Sequence, residues 1–470
     1  MKSSLPASER LGFKEKVGYG LGDTASNFFF QTFNIFLLSY YIDVIGLTAA
    51  AIGTMFFVTK IFDAFSDVGM GLLADRTRTR FGRFRPYILW LAIPYGLIGY
   101  SMFANPDLSS SGKLIYAYIT YSLMMLAYTA INVPYSSLMG VMSPHSEERT
   151  RLAMYRFVGA FGAALLISGF VLPLRDLLGG GNEAQGYQLT MALFAIISTT
   201  LWFITFATTR ERITPLPDQA TDLRGDIRET LRNGPWLALV ASALFVMMNV
   251  AVRAGSTLFY LKYYVPSSGQ DVFWIFDRAS IFFMSGTAAM LLGTVLTGLF
   301  TPRFEKRTVM IVLTSLNAIG MAVFYYIPAN EYGLMLAVNF LSMLIVGPTP
   351  AIVWSMYADC ADYGEWKRGR RTTGLVFSGA LFAQKSGLAI GAGLSGWMLS
   401  LFGFVANTTQ SDTSLLGIRL MFSVFPALLA LLAAAALVFY PLRDRDIPQM
   451  ERELAARRVG DGLPGPTRNP

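Results

Sequence analysis

Apolar residues along this chain gather into long runs separated by short polar stretches. The runs fall at 17–42, 48–73, 86–104, 113–141, 152–173, 187–209, 235–264, 279–300, 307–327, 332–358, 372–402 and 416–440. At a rise of about 1.5 Å per residue, each is long enough to cross roughly 30 Å of hydrocarbon as a helix. The pattern predicts an all-α membrane protein with twelve transmembrane helices.

The polar connections test this segmentation. Lysine and arginine accumulate on cytoplasmic loops. Counting the two termini and alternate connections as cytoplasmic captures 29 of the 38 lysines and arginines, whereas Asn105–Gly112, Pro266–Asp277 and Ala406–Leu416 carry none. Both termini are therefore expected on the cytoplasmic side of a cell inner membrane. The longest polar connection, at 210–234, reads as a central cytoplasmic loop. It divides the chain into an N-terminal six-helix bundle (1–209) and a C-terminal one (235–440), followed by a cytoplasmic tail (441–470) that begins as a short amphipathic helix. A faint repeat supports two related halves: Gly71-Leu-Leu-Ala-Asp75-Arg76 after the second run is echoed by Gly298-Leu-Phe-Thr-Pro302-Arg303 after the eighth. Two pseudo-symmetric bundles rocking about a midplane site is the plan of the major facilitator fold.

Composition narrows the function classes. Hydrophobic residues make up 53% and charged residues 14% of 470, whereas a soluble domain carries roughly 25% charged residues. The pI near 9.4 does not indicate nucleic acid, because the basic residues recur in short blocks between apolar runs instead of clustering in one stripe. One cysteine, Cys360, and one histidine, His145, leave no disulfide framework and no His-based metal or general-base site. No nucleophile–histidine pair or phosphate-binding loop is found, so the chain reads as a non-enzyme. Met1–Lys16 is polar and charged and lacks a cleavage site, so the first helix is expected to stay and span.

Candidate chemistry lies where ionisable groups interrupt apolar runs. Each such group costs roughly 2.5–3.5 kcal/mol at mid-bilayer on insertion scales, so it usually faces the bundle interior. Lys60, Asp63 and Asp67 in the second run share one helical face at spacings of three and four. Two carboxylates one turn apart repel unless a proton or cation joins them, which makes a coupling-ion site; the alternative is a static pair of Lys60 with Asp63. In the fourth run Thr129 and Asn132 lie one turn apart, and Pro134 frees a carbonyl. They serve a ligand or act as interhelical glue. Arg156, Arg253, Gln384 and Lys385 also sit within apolar runs. The arginines can fork hydrogen bonds to sugar hydroxyls or pair with a carboxylate, and buried Lys385 needs a partner.

With these residues in view, GYGLGDTASNFFF, KIFDAFSDVGMG, DRTRTRFGRFRPY, AYTAINVPY and ADCADYGEWKRGRR together resemble the glycoside-pentoside-hexuronide cation symporter family. The likeness runs over most of the chain. It implies coupling-cation binding at Asp63, Ser66, Asp67 and Thr129; were the ion sodium, Asp63 and Asp67 would ligate the metal. It implies sugar contacts at Asn27, Asn132 and Arg156, with Lys385 and neighbouring Gln384 near the same cavity. It also implies charged residues closing the cytoplasmic side at Asp75, Arg149, Asp359 and Arg371. Asn27 and Asn132 replace aspartates, and Ser66 an asparagine, of the melibiose-type members, so neither galactoside specificity nor sodium selectivity carries over. A less acidic cavity facing Arg156 and Arg253 would tolerate an anionic sugar such as a uronide.

The expected function is secondary active transport: symport of a glycoside, pentoside or hexuronide with Na+ or H+ by alternating access. The partners are the sugar and the bilayer, with no nucleic acid and no organic cofactor, and the default state is a monomer. Rival readings are a cation-coupled carrier of a non-sugar organic solute and a non-transporting membrane sugar sensor.

Overall fold

The computed structural model describes residues 11–143, 146–212, 228, 230–266, 276–300, 304–368 and 373–460. Helix α1 (Phe13–Thr32) runs on through two π-helical turns, Phe33–Leu37 and Tyr40–Val44. It is followed by α2 (Ala49–Arg76), α3 (Arg85–Ser101), α4 (Ser110–Met142), α5 (Ser146–Gly179) and α6 (Glu183–Thr208). Next come α7 (Gly234–Phe259), extended by a π turn at Tyr260–Tyr264, then α8 (Arg278–Phe300), α9 (Lys306–Val323), α10 (Tyr332–Val346), α11 (Thr349–Arg368) and α12 (Thr373–Leu401). Helices α13 (Asp412–Phe422), α14 (Val424–Val438) and α15 (Ile447–Gly460) close the chain. With α10 and α11, and α13 and α14, each taken as one interrupted rod, the described residues before α15 form twelve rods matching the twelve apolar runs. Among the described residues, nine spans are long and apolar enough by length and composition alone to cross a membrane.

Both interruptions follow from proline. Pro348 has no N–H and is disfavoured inside a helix, and the chain breaks at Gly347–Pro348, where the carbonyl of Gly347 accepts from the Thr294 hydroxyl at 2.9 Å. Pro426 likewise cannot donate to the carbonyl of Phe422 four residues earlier. The rod breaks at Ser423, and Arg253 Nη1 donates to that carbonyl at 3.2 Å instead.

Two compact units result. The first holds Met1–Pro217 with Ala254–Thr287 and Ala392–Ile418; the second holds Asp218–Arg253, Ala288–Gly391 and Arg419–Pro470. The units thus cut across the predicted halves, since the late parts of α7 and α12 pack with α1–α6. In the first unit α2 meets α12 at glycines: a Cβ on Gly53 would lie 2.7 Å from the Gly393 carbonyl oxygen, and one on Gly396 2.6 Å from the Gly53 Cα. No side chain fits there.

The ends of the predicted central loop are anchored. Glu211 accepts from the backbone N–H groups of Arg83, Phe84 and Arg85 at 2.8–3.0 Å, capping the N-terminus of α3 where a helix carries partial positive charge. Arg212 pairs with Glu15 and donates through its backbone to the Val141 carbonyl at 2.9 Å. At the far end Asn233 caps α7 through Trp236 N–H and donates to the Cys360 carbonyl at 2.7 Å. Beneath the start of α1, buried Glu148 gathers Lys16 at 2.7 Å, the Leu11 N–H at 2.9 Å and Arg151 at 3.4 Å. The tail begins as the expected amphipathic helix: α15 buries Met450 and Leu454, and Trp366 Nε1 donates to Glu453 at 2.6 Å. Cys360 is a buried free thiol, and His145 lies outside the described residues.

Candidate functional site

Helix α2 brings Asp63 and Asp67 one turn apart, and α4 brings Thr129 against both. The Thr129 hydroxyl oxygen lies 2.8 Å from Asp63 Oδ1 and 2.7 Å from Asp67 Oδ1. Asp63 and Thr129 are buried and Asp67 is half-buried. A hydroxyl carries one hydrogen and can donate to only one oxygen. The second short contact is strengthened if a further hydrogen lies in it, with the carboxyl donating to Thr129, or if a cation draws the oxygens together. Lys60, one turn earlier, lies within electrostatic reach of Asp63. The Ser66 hydroxyl donates at 2.8 Å to the Asp63 backbone carbonyl, the back-bond common for serine inside a helix.

A second cluster in the same unit surrounds Arg156 of α5, whose Nε is 3.2 Å from Asp23 Oδ2 on α1. Its guanidinium lies 5.2 Å from the Tyr135 ring centroid. Tyr19 and Tyr135 clasp α1 to α4: each hydroxyl donates to the other's backbone carbonyl, at 3.3 and 2.6 Å, and the rings stack 4.7 Å apart. Trp202 meets Tyr135 edge-on at 5.3 Å. Asn27 lies one turn along from Asp23, donating to its carbonyl at 2.8 Å and accepting from Gln31 at 3.3 Å; Asn132 donates to the Tyr128 carbonyl at 3.1 Å. Tyr128, beside Thr129, is within electrostatic reach of Asp23, Arg156, Asp63 and Asp67. It therefore spans the two clusters.

The first unit thus assembles Asn27, Asp63, Ser66, Asp67, Thr129, Asn132 and Arg156. Asp23 and Tyr128 join them without having been singled out in the sequence, although an aspartate inside the apolar run 17–42, one turn from Asn27, is itself a signal. Arg253, Gln384 and Lys385 belong to the second unit. There Arg253 is enclosed by Phe324 and Phe422, with ring centroids at 4.9 and 4.5 Å, and caps the broken rod α13–α14. Of the residues expected to close the cytoplasmic side, Asp359 pairs with Lys306 at 2.7 Å. Arg371 and the side chains of Asp75 and Arg149 lie outside the described residues.

The family described as MFS/sugar transport protein matches residues 18–444. The inner membrane symporter YicJ of Escherichia coli (strain K12) is 35% identical over 95% of this chain and 96% of its own. The isoprimeverose transporter of Lactiplantibacillus pentosus is 32% identical over 97% and 93% respectively. Among solved structures, a D-xylose-proton symporter superposes with a TM-score of 0.63 over 91% of this chain and 97% of that one, at 15% identity. That last likeness concerns the fold alone.

Proposed function

The chain belongs to the MFS/sugar transport protein family, a multi-pass membrane carrier that moves sugar with a cation, and we propose that its coupling ion is a proton held between Asp63, Asp67 and Thr129. The observation that carries this reading is the shared hydroxyl. One hydrogen shared between contacts of 2.8 and 2.7 Å to two carboxylate oxygens serves neither fully, and an added proton supplies a second. A sodium ion would require several further oxygens beside these three.

In the proposed cycle an empty site leaves two carboxylates repelling across Thr129. Loading the proton removes the repulsion and draws α2 and α4 together, which positions Tyr128 and the Asp23–Arg156 cluster for sugar. Binding of either ligand favours the other, because coupling free energy is reciprocal. The sugar class is read as glycoside or pentoside. Asp23 with Arg156 suits the hydroxyls of a sugar ring, and the buried Tyr19–Tyr135 pair and Trp202 pack the helices that hold them. Pairing with Asp23 offsets the Arg156 charge, and Arg253 is occupied by Phe422, so neither supports the anionic-sugar expectation. Its loop charges support an inner-membrane placement with both termini cytoplasmic, and a monomer is the default for a self-contained bundle.

The test is uptake of labelled pentosides, neutral glycosides and hexuronides into proteoliposomes, with proton and sodium gradients imposed separately. Accumulation of one neutral class driven by the proton gradient is expected. Accumulation driven by sodium at constant pH on both sides would overturn the proton assignment.

A further inference from the structure

Asp43 lies in the second π turn of the α1 rod, and Lys262 and Tyr263 lie in the π turn that continues α7. All three sit in the first unit, as does Asn407 on the connection after α12. Lys262 Nζ donates to Asp43 Oδ2 at 2.7 Å, and the Tyr263 hydroxyl donates to Asp43 Oδ1 at 2.9 Å. Asn407 closes the ring: its Nδ2 donates to the Asp43 backbone carbonyl at 2.6 Å, its N–H to the Tyr263 hydroxyl oxygen at 3.0 Å, and its Oδ1 accepts from Lys262 at 2.9 Å. The geometry needs special backbone in every segment of the ring. A π turn packs more residues per turn than an α-helix, which narrows the angle between Lys262 and Tyr263 so that both reach one carboxylate. Asn407 has φ 57°, a left-handed conformation that asparagine tolerates better than most residues.

We propose that Asp43, Lys262, Tyr263 and Asn407 form a latch that closes the outer face of the transporter, releasing each time sugar enters from outside. The loop charges assign this end of α1, α7 and α12 to the outside. The latch has two defined states for a physical reason. The Asp43 side chain is 6% exposed while that of Lys262 is 43% exposed. A buried carboxylate that loses its ammonium partner must be hydrated, so the ring opens only as water enters beneath it and cannot rest half-open. None of its members belongs to the coupling-ion or sugar clusters, so the latch acts on access and not on binding.

The test needs no sugar. Ser395, fully buried six residues before the end of α12, lies beside Gly255 and Leu38 beneath the ring. A Ser395→Cys reporter in right-side-out vesicles is challenged with a membrane-impermeant sulfonated maleimide. Asp43→Asn and Lys262→Gln are expected to raise its labelling at least about fivefold, the low end of usual conformational coupling, while Lys262→Arg stays at the parent level. Native Cys360, buried in the second unit, reports on unfolding in the same samples after detergent extraction. Labelling of the Ser395→Cys reporter unchanged by Asp43→Asn and Lys262→Gln would overturn the latch. So would a rise shared by Cys360, which would make these residues props of the whole fold.

Discussion

Arg253 Nη1 donates to the carbonyl of Phe422 across 3.2 Å, and Pro426 is the reason no N–H four residues on meets that carbonyl. An arginine that sequence reasoning assigns to sugar thereby has a backbone group to satisfy. Arg253→Ala should lower stability by about 1–3 kcal/mol, the cost of leaving a buried carbonyl without its donor, seen as a lower thermal unfolding midpoint in detergent. Half-saturating sugar concentration, per folded molecule, should not move. A large rise in that concentration with unchanged stability would return Arg253 to the sugar site.

Thr129→Val removes the hydroxyl between the two carboxylates while keeping side-chain volume. Loaded, the proposed site makes one more hydrogen bond than when empty, so the substitution should weaken coupling-ion binding by about tenfold, the worth of one charge-assisted bond. Gradient-driven uptake then needs a correspondingly lower external pH, and Thr129→Ser should behave as the parent does. Asp63→Asn should abolish accumulation in a protein that still folds. Failure to fold would instead favour a static pair with Lys60.

Burial pushes the Glu148 carboxyl upward, but the Lys16 hydrogen bond, the Leu11 N–H and the charges of Lys16 and Arg151 outweigh it and hold it below the usual carboxylate range. A carboxyl depressed in the folded state adds stability above the ordinary range, and loses it as pH falls through its folded value. Glu148→Gln should therefore unfold at a lower temperature than the parent at neutral pH. The gap should close as the medium is acidified below the ordinary carboxylate range; a gap independent of pH would contradict the charge-based account.

Gly53→Ala sets two magnitudes against each other. Helix propensity alone favours alanine by about 1 kcal/mol. Overpacking against the Gly393 carbonyl oxygen, 2.7 Å from the new Cβ, costs about 1–3 kcal/mol, and backbone cannot swing aside as a side chain can. The prediction is a lower unfolding midpoint and slower uptake.

The twelve runs were legible because hydrocarbon thickness fixes span length, and their proline breaks left each rod in place. Asp63, Asp67 and Thr129 were legible for a related reason: charge in an apolar run stands out, and helical spacing fixes which groups share a face. The Ser66 back-bond was not, since a hydroxyl chooses between a neighbouring helix and its own carbonyl after packing. The π turns at Tyr40–Val44 and Tyr260–Tyr264 left no mark in composition, and with them went the pairing of Asp43 with Lys262, residues 219 positions apart in sequence. The loop 210–234 read as a divider by polarity, which says nothing of Glu211 and Arg212 tying its first residues to α1, α3 and α4.

That anchoring bears on biosynthesis. The ribosome delivers α1–α6 before Glu211 and Arg212, yet α3 lacks its cap and Glu15 its partner until those two residues emerge. A nascent chain halted at 209 holds six helices with the rim around α3 and Glu15 unfinished, and three more residues complete it. Anyone dividing this transporter into two co-expressed fragments should cut beyond Arg212, where the first piece keeps its own fastening.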